Sequence, residues 1–87
     1  MTDVTEFKAL GTLSPGVSGI VADFDMQNDH NRTDMVDRLR EMGFAEGLEV
    51  EFLHQSPFGR DPIAVRVGAM TVALRRKEAN LIRVTTT

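Results

Sequence analysis

Four places in the chain carry side chains that could do chemistry. Asp23, Asp25, Asp29 and His30 bring hard and borderline metal ligands into one short stretch. Carboxylate and imidazole together suit iron or manganese, so a weak divalent-ion site is conceivable there, with Asp25, Asp29 and His30 as the candidates. No fixed ligand spacing appears, and the plain reading is a solvated loop. His54 stands near Glu49 and Glu51, where a carboxylate could orient an imidazole as a general base. A lone histidine without a placed nucleophile makes no triad, so no catalytic residue is assigned. Arg75, Arg76 and Lys77 form the one basic cluster, suited to an acidic partner surface or a phosphate. The plain reading of that run is a solvated turn. Phe58 stands between Pro57 and Gly59 at the tip of a hairpin connection. An aromatic held out by turn residues anchors interfaces; the other reading is that the loop folds back and buries it. Phe58, Arg75, Arg76 and Lys77 are therefore the partner-binding candidates.

Composition limits what these residues can do. A chain of 87 residues is one domain and buries only about 60–65% of its unfolded surface, which leaves little room for an enclosed active site beside a core. The apolar fraction of 41% and charged fraction of 26% are those of an ordinary folded domain. A net charge of −3 disfavours non-specific binding to a phosphate backbone. The absence of cysteine removes disulfides, thiol catalysis and thiolate metal sites. No phosphate-cradling glycine loop occurs, so the chain is not expected to hold a nucleotide. No apolar run approaches the ~20 residues of a membrane-spanning helix, and residues 1–13 lack the apolar stretch of a secretory signal. The expectation is a cytoplasmic protein that does not insert into a membrane.

The elements that must position these side chains are mostly strands. Residues 1–12 read as a loose lead-in, with Phe7, Leu10 and Leu13 spaced to tuck against the body. Ser14-Pro15-Gly16 is a turn signal, and a strand is expected over 17–24 with Ile20, Ala22 and Phe24 on one face. Gly19 within it suggests a bulge or a close backbone approach. The one clear helix runs from about Thr33 to Met42, capped by Asn31 or Thr33. Its apolar stripe is Met35, Val36, Leu39 and Met42, and it ends at Gly43 with Phe44 behind it. Beyond Gly47 the period becomes two. Leu48, Val50 and Phe52 face inward, then Ile63, Val65 and Val67, then Met70, Val72 and Leu74. Residues 56–62 connect the first pair of strands and Gly68-Ala69 the second. Arg75 to Asn80 is a short polar turn before a last strand over 81–84, and 85–87 is a tail. Five short strands with one inserted helix close most economically into a small barrel spanning 13–84.

Four runs within this pattern resemble the FeoA family. They are Leu13-Ser14-Pro15-Gly16, the stretch from Leu39 through Met42-Gly43-Phe44 to Val50, the stretch from Pro62 to Gly68 continuing through Val72-Ala73-Leu74-Arg75-Arg76-Lys77-Glu78-Ala79, and Leu81-Ile82-Arg83-Val84. The order and spacing hold over about residues 10–84. Glu46 stands where the family often has proline, and Ala69 where it often has a larger residue; both are loop positions. The resemblance implies an SH3-like β-barrel with one α-helix after the first strand. It also implies a role as accessory to the FeoB ferrous-iron transporter, whose cytosolic part binds GTP, and it carries no catalytic residues. A similar barrel ends the metal-dependent repressors of the DtxR type, so a metal-sensing regulatory barrel is the alternative function. An RNA-binding barrel is disfavoured by the acidic balance and the lack of Tyr and Trp.

Overall fold

The computed structural model describes residues 6–26 and 30–86. Its strands are β1 (Glu6–Ala9), β2 (Ser18–Phe24), β3 (Glu49–Gln55), β4 (Ile63–Val67), β5 (Met70–Leu74) and β6 (Ile82–Thr86). The helix α1 (His30–Glu41) follows β2, and a single helical turn, α2 (Arg76–Ala79), precedes β6. All six strands lie in one sheet with spatial order β1-β6-β2-β3-β4-β5, every pair antiparallel. The mainly β class with one inserted helix is as expected, but the described residues form six strands and not five, so the helix follows the second strand and not the first. The extra one comes from the lead-in, where β1 pairs with β6 from Glu6↔Thr86 to Ala9↔Arg83. That pairing also draws Thr85 and Thr86 out of the expected tail and into β6. Among the described residues no ladder joins β1 to β5, so the hydrogen-bonded sheet keeps two edges.

The core is apolar throughout: no polar or charged side chain is buried among the described residues. Phe44, Phe52, Leu10, Leu39 and Ile63 are its largest fully enclosed members. The α1 stripe covers it as expected. Val36 and Leu39 are buried, and Met35 and Met42 pack half-buried at its rim. The helix starts at His30, so Asn31 and Thr33 lie within its first turn and are not its cap. Its end is as read from the sequence. Gly43 adopts φ 115°, its N–H donates to the Arg40 carbonyl at 3.0 Å, and the Phe44 N–H donates to the Leu39 carbonyl at 3.2 Å. This paired bonding satisfies carbonyls the helix leaves open and drives Phe44 into the core.

Two bulges change which side chains face inward. In β2 the register passes from Val21↔Val84 to Asp23↔Arg83, leaving Ala22 as the extra residue. Val21 is therefore buried ahead of the bulge and Phe24 after it, while Ile20 faces out at 42% exposure. The expected face of Ile20, Ala22 and Phe24 is corrected accordingly. Gly19 marks close approach and not the bulge: a Cβ there would lie 2.8 Å from the Thr85 carbonyl oxygen. In β3 the register passes from Phe52↔Val65 to His54↔Ala64, with Leu53 extra. Past that point Gln55 stands opposite the buried Ile63 and His54 opposite Ala64 on the outer face. The expected inward faces are also trimmed at both strand ends. Leu48 and Met70 are exposed, and of the β5 set only Leu74 is fully buried, with Val72 packed against the core.

Candidate functional site

The hairpin connection between β3 and β4 holds the most exposed aromatic of the described residues. Phe58 is 85% exposed, so the reading in which the loop folds over it is set aside. The Ser56 N–H donates to the Pro62 carbonyl at 3.0 Å and closes the loop at its base. Nearer the tip, the Phe58 N–H donates to the Ser56 hydroxyl at 3.2 Å. Gly59 and Arg60 both adopt left-handed backbone, at φ 78° and 63°. Arg60 is not glycine, and that conformation costs it about 1–2 kcal/mol, which its surroundings must offset.

Arg76 supplies that support. Its guanidinium donates to the Arg60 carbonyl at 3.0 Å, to Gln55 Oε1 at 2.8 Å and to the Gly11 carbonyl. Its backbone N–H donates to Asp61 Oδ1 at 2.8 Å, and the guanidinium carbon lies 5.6 Å from the centre of the Phe52 ring. The residue therefore ties the 56–62 loop to the short 3-10 turn at Leu10–Thr12 and to β3. Grouped by sequence with Arg75 and Lys77, Arg76 is half-buried and turned inward, whereas both neighbours are exposed. The Arg75 N–H donates to Glu78 Oε1 at 2.9 Å, which starts α2, and Glu78 also faces Arg38 at 3.9 Å. Phe58 with Arg75 and Lys77 thus remains on the surface, and Arg76 shapes the loop from beneath.

The other candidates are dispersed. Asp23 receives two hydrogen bonds from Arg83, at 2.6 and 2.5 Å, and these hold its carboxyl below the ordinary aspartate value. Asp25 Oδ2 lies 2.9 Å from Arg32 Nη1, a charge contact without hydrogen-bond alignment. Asp29 and the His30 side chain lie outside the described residues. Among those that are described, no three His, Asp or Glu side chains gather as a metal cluster. Glu51 is engaged by Arg66 across the β3–β4 ladder, and the Leu53 bulge separates it from His54, which is exposed. The outer surface beside the loop is a shallow concavity between His54, Pro57, Pro62, Ala64 and Ala73. Sequence reading missed Gln55 and Asp61 as partners of Arg76. The only available signal was the break of alternation after Phe52, which marks a bulge once the register is known. No described helix is long and apolar enough to cross a membrane.

The comparisons agree with this architecture. A model of the FeoA domain matches residues 8–86. Stenotrophomonas maltophilia FeoA, described as a prokaryotic SH3 domain protein and solved with zinc, is 32% identical. It superposes with a TM-score of 0.73, covering 94% of this chain and 89% of that one. Iron(II) transport protein A from Clostridium thermocellum is 30% identical with a TM-score of 0.75, over 91% of this chain and 45% of that one. A manganese-dependent transcriptional repressor is similar in fold alone, at 21% identity and a TM-score of 0.78 over 98% of this chain and 44% of that one. No curated protein matches the sequence. The six-stranded SH3-like sheet, its single long helix and a family match over nearly the whole length lead to one assignment: the chain belongs to the FeoA family.

Proposed function

We propose that this protein docks to the cytosolic GTP-binding part of a FeoB-type ferrous-iron transporter and modulates it from the cytoplasm. Its family is one of non-enzymatic accessory proteins of ferrous-iron transport, and the chain is one of them. The docking reading rests on one observation: Phe58 stands 85% exposed on a loop whose base is held from below by Arg76. A large aromatic kept out of the core on a fixed loop is an anchor for a pocket on another protein. Arg75 and Lys77 flank that end and would meet an acidic rim. A metal-sensing role has less behind it. Asp23 and Asp25 face arginines, and the likeness to the manganese-dependent repressor is one of fold.

The test is binding of the transporter's GTP-binding domain to the full chain by calorimetry, with and without Fe(II). Phe58→Ala should weaken binding by about 2 kcal/mol or more, the size of an interface anchor, while the melting temperature stays nearly unchanged. Unaltered affinity would remove Phe58 from the interface, and a large loss of stability would make it part of the fold instead.

A further inference from the structure

The sheet has two edges, and they are built differently. β1 is four residues long and carries Glu6 and Lys8, the short length and charge by which edge strands avoid unwanted pairing. β5 is Met70-Thr71-Val72-Ala73-Leu74, with no charge, no proline and no bulge in its register against β4. β4 is its one ladder partner among the described residues. Thr71 and Ala73 are exposed, as is Met70 at 51%.

Register identifies the groups this edge presents. The two-residue connection Gly68-Ala69 joins Val67 to Met70, and such a hairpin closes on a hydrogen-bonded pair. Alternation then makes Val65↔Val72 and Ile63↔Leu74 hydrogen-bonded pairs as well. Arg66↔Thr71 and Ala64↔Ala73 are the non-bonded pairs, so the N–H and C=O groups of Thr71 and Ala73, both exposed residues, point away from β4. The outer face beside them is floored by Ala64 and Ala73, with Pro57 and Pro62 as a wall. Small side chains there leave space for larger ones on an added strand.

Charge at one end of the edge selects the occupant. Arg75 and Lys77 follow β5 directly and are exposed. The two acids beside them, Asp61 and Glu78, are turned to the protein's own backbone N–H groups at Arg76 and Arg75. The cations are thus left facing outward at the end of an uncharged strand edge. We infer that β5 takes up an extended acidic segment of the partner protein as a seventh strand, with that segment's carboxylates beside Arg75 and Lys77. The inference rests on the docking role proposed above and names the kind of segment that docks.

Amide hydrogen exchange on the isotopically labelled full chain tests it, with an acetylated peptide of alternating Glu and Val as probe and its Lys–Val counterpart as control. Exchange at Thr71 and Ala73 should slow by about tenfold or more with the Glu peptide only, while Val72 and Leu74, already bonded to β4, change less. Thr71→Pro removes one edge donor and no β4 bond, and should abolish the effect. Should that variant melt early, the double change Arg75→Glu with Lys77→Glu leaves the backbone intact and should reverse the preference to the Lys peptide. Equal slowing by both peptides, or none by either, overturns the proposal. Protection already present in the protein alone, or rising with its own concentration, overturns it too, since the occupant is then its own chain or a second copy. The GTP-binding domain serves as a separate arm. If it binds but leaves Thr71 and Ala73 unprotected, the edge proposal fails and the docking role stands. If it does not bind while the Glu peptide still protects the edge, the docking role fails and the edge site stands.

Discussion

Arg76 and Arg83 make the same kinds of contact in opposite surroundings. Each guanidinium sits 5.6 Å from a phenylalanine ring centre, Phe52 for Arg76 and Phe7 for Arg83. Arg83 meets a carboxylate, Asp23, in a two-point contact, yet its side chain is 50% exposed and its ring partner 57% exposed. Arg76 meets two backbone carbonyls and an amide oxygen, is half-buried, and lies by a ring that is fully enclosed. The Arg83 contact joins two strands that the ladder already joins, β2 and β6. The Arg76 contact joins segments with no ladder between them: the 3-10 turn, the end of β3 and the 56–62 loop. The better-neutralised pair is thus the less consequential one, because water competes for exposed ions and the backbone already fixes their spacing.

The sharpest break of this comparison is at the rings. Phe52→Ala should cost about 3–5 kcal/mol, the usual result of emptying a sealed aromatic site, whereas Phe7→Ala should stay within about 0.5 kcal/mol. Urea unfolding of both variants reads the contrast. Similar losses would mean that β1 carries its ring into a packed environment in solution.

The guanidinium groups come next. Arg76→Ala should cost about 1.5–3 kcal/mol, since it leaves the Gly11 and Arg60 carbonyls and Gln55 without their donor. Arg76→Lys should recover little, because a single ammonium cannot span three acceptors set in different directions. Arg83→Ala should cost less than either change at Arg76, since exposed ion pairs contribute little. Denaturant midpoints rank the three, and an Arg83 variant as damaged as the Arg76 one would reverse the argument.

The same contrast explains what could be read from the sequence. The α1 stripe and its Gly43–Phe44 ending, the inward Val50, Phe52, Ile63, Val65 and Val67, and the placing of Phe58 at a hairpin tip all follow from local periodicity or turn chemistry, whereas the exposure of its ring shows only in the structure. Those signals lie within a few residues of what they determine. The β1 strand did not show, because Glu6–Ala9 is too short for its alternation to stand out and its partner lies at the far end of the chain. The bulges at Ala22 and Leu53 did not show either, since an extra residue is defined only against the opposite strand. Arg76 looked like Arg75 and Lys77 for a related reason. Nothing in three adjacent cations indicates that a bulge more than twenty residues earlier turns Gln55 to meet one of them.

Acid should separate the two arginines further, by a smaller amount. Asp23 titrates lower in the folded chain than unfolded, chiefly through the hydrogen bonds from Arg83. The unfolded chain therefore binds the proton first. The pair's contribution is present above the ordinary aspartate value near pH 4 and is lost as pH falls through the folded value. The stability gap between wild type and Arg83→Ala should accordingly be open at neutral pH, close as pH drops below about 4, and narrow in high salt. The Asp23 carboxyl midpoint, followed by NMR, should rise in Arg83→Ala. Arg76 gives the opposite expectation, because Gly11 and Arg60 offer backbone carbonyls and Gln55 an amide, none of which titrates. The cost of Arg76→Ala should stay level across the acid range in which the chain remains folded. A cost that fell with pH in step with the Arg83 gap would show that a carboxylate shares the Arg76 clasp after all, Asp61 being the one already bonded to the Arg76 backbone N–H.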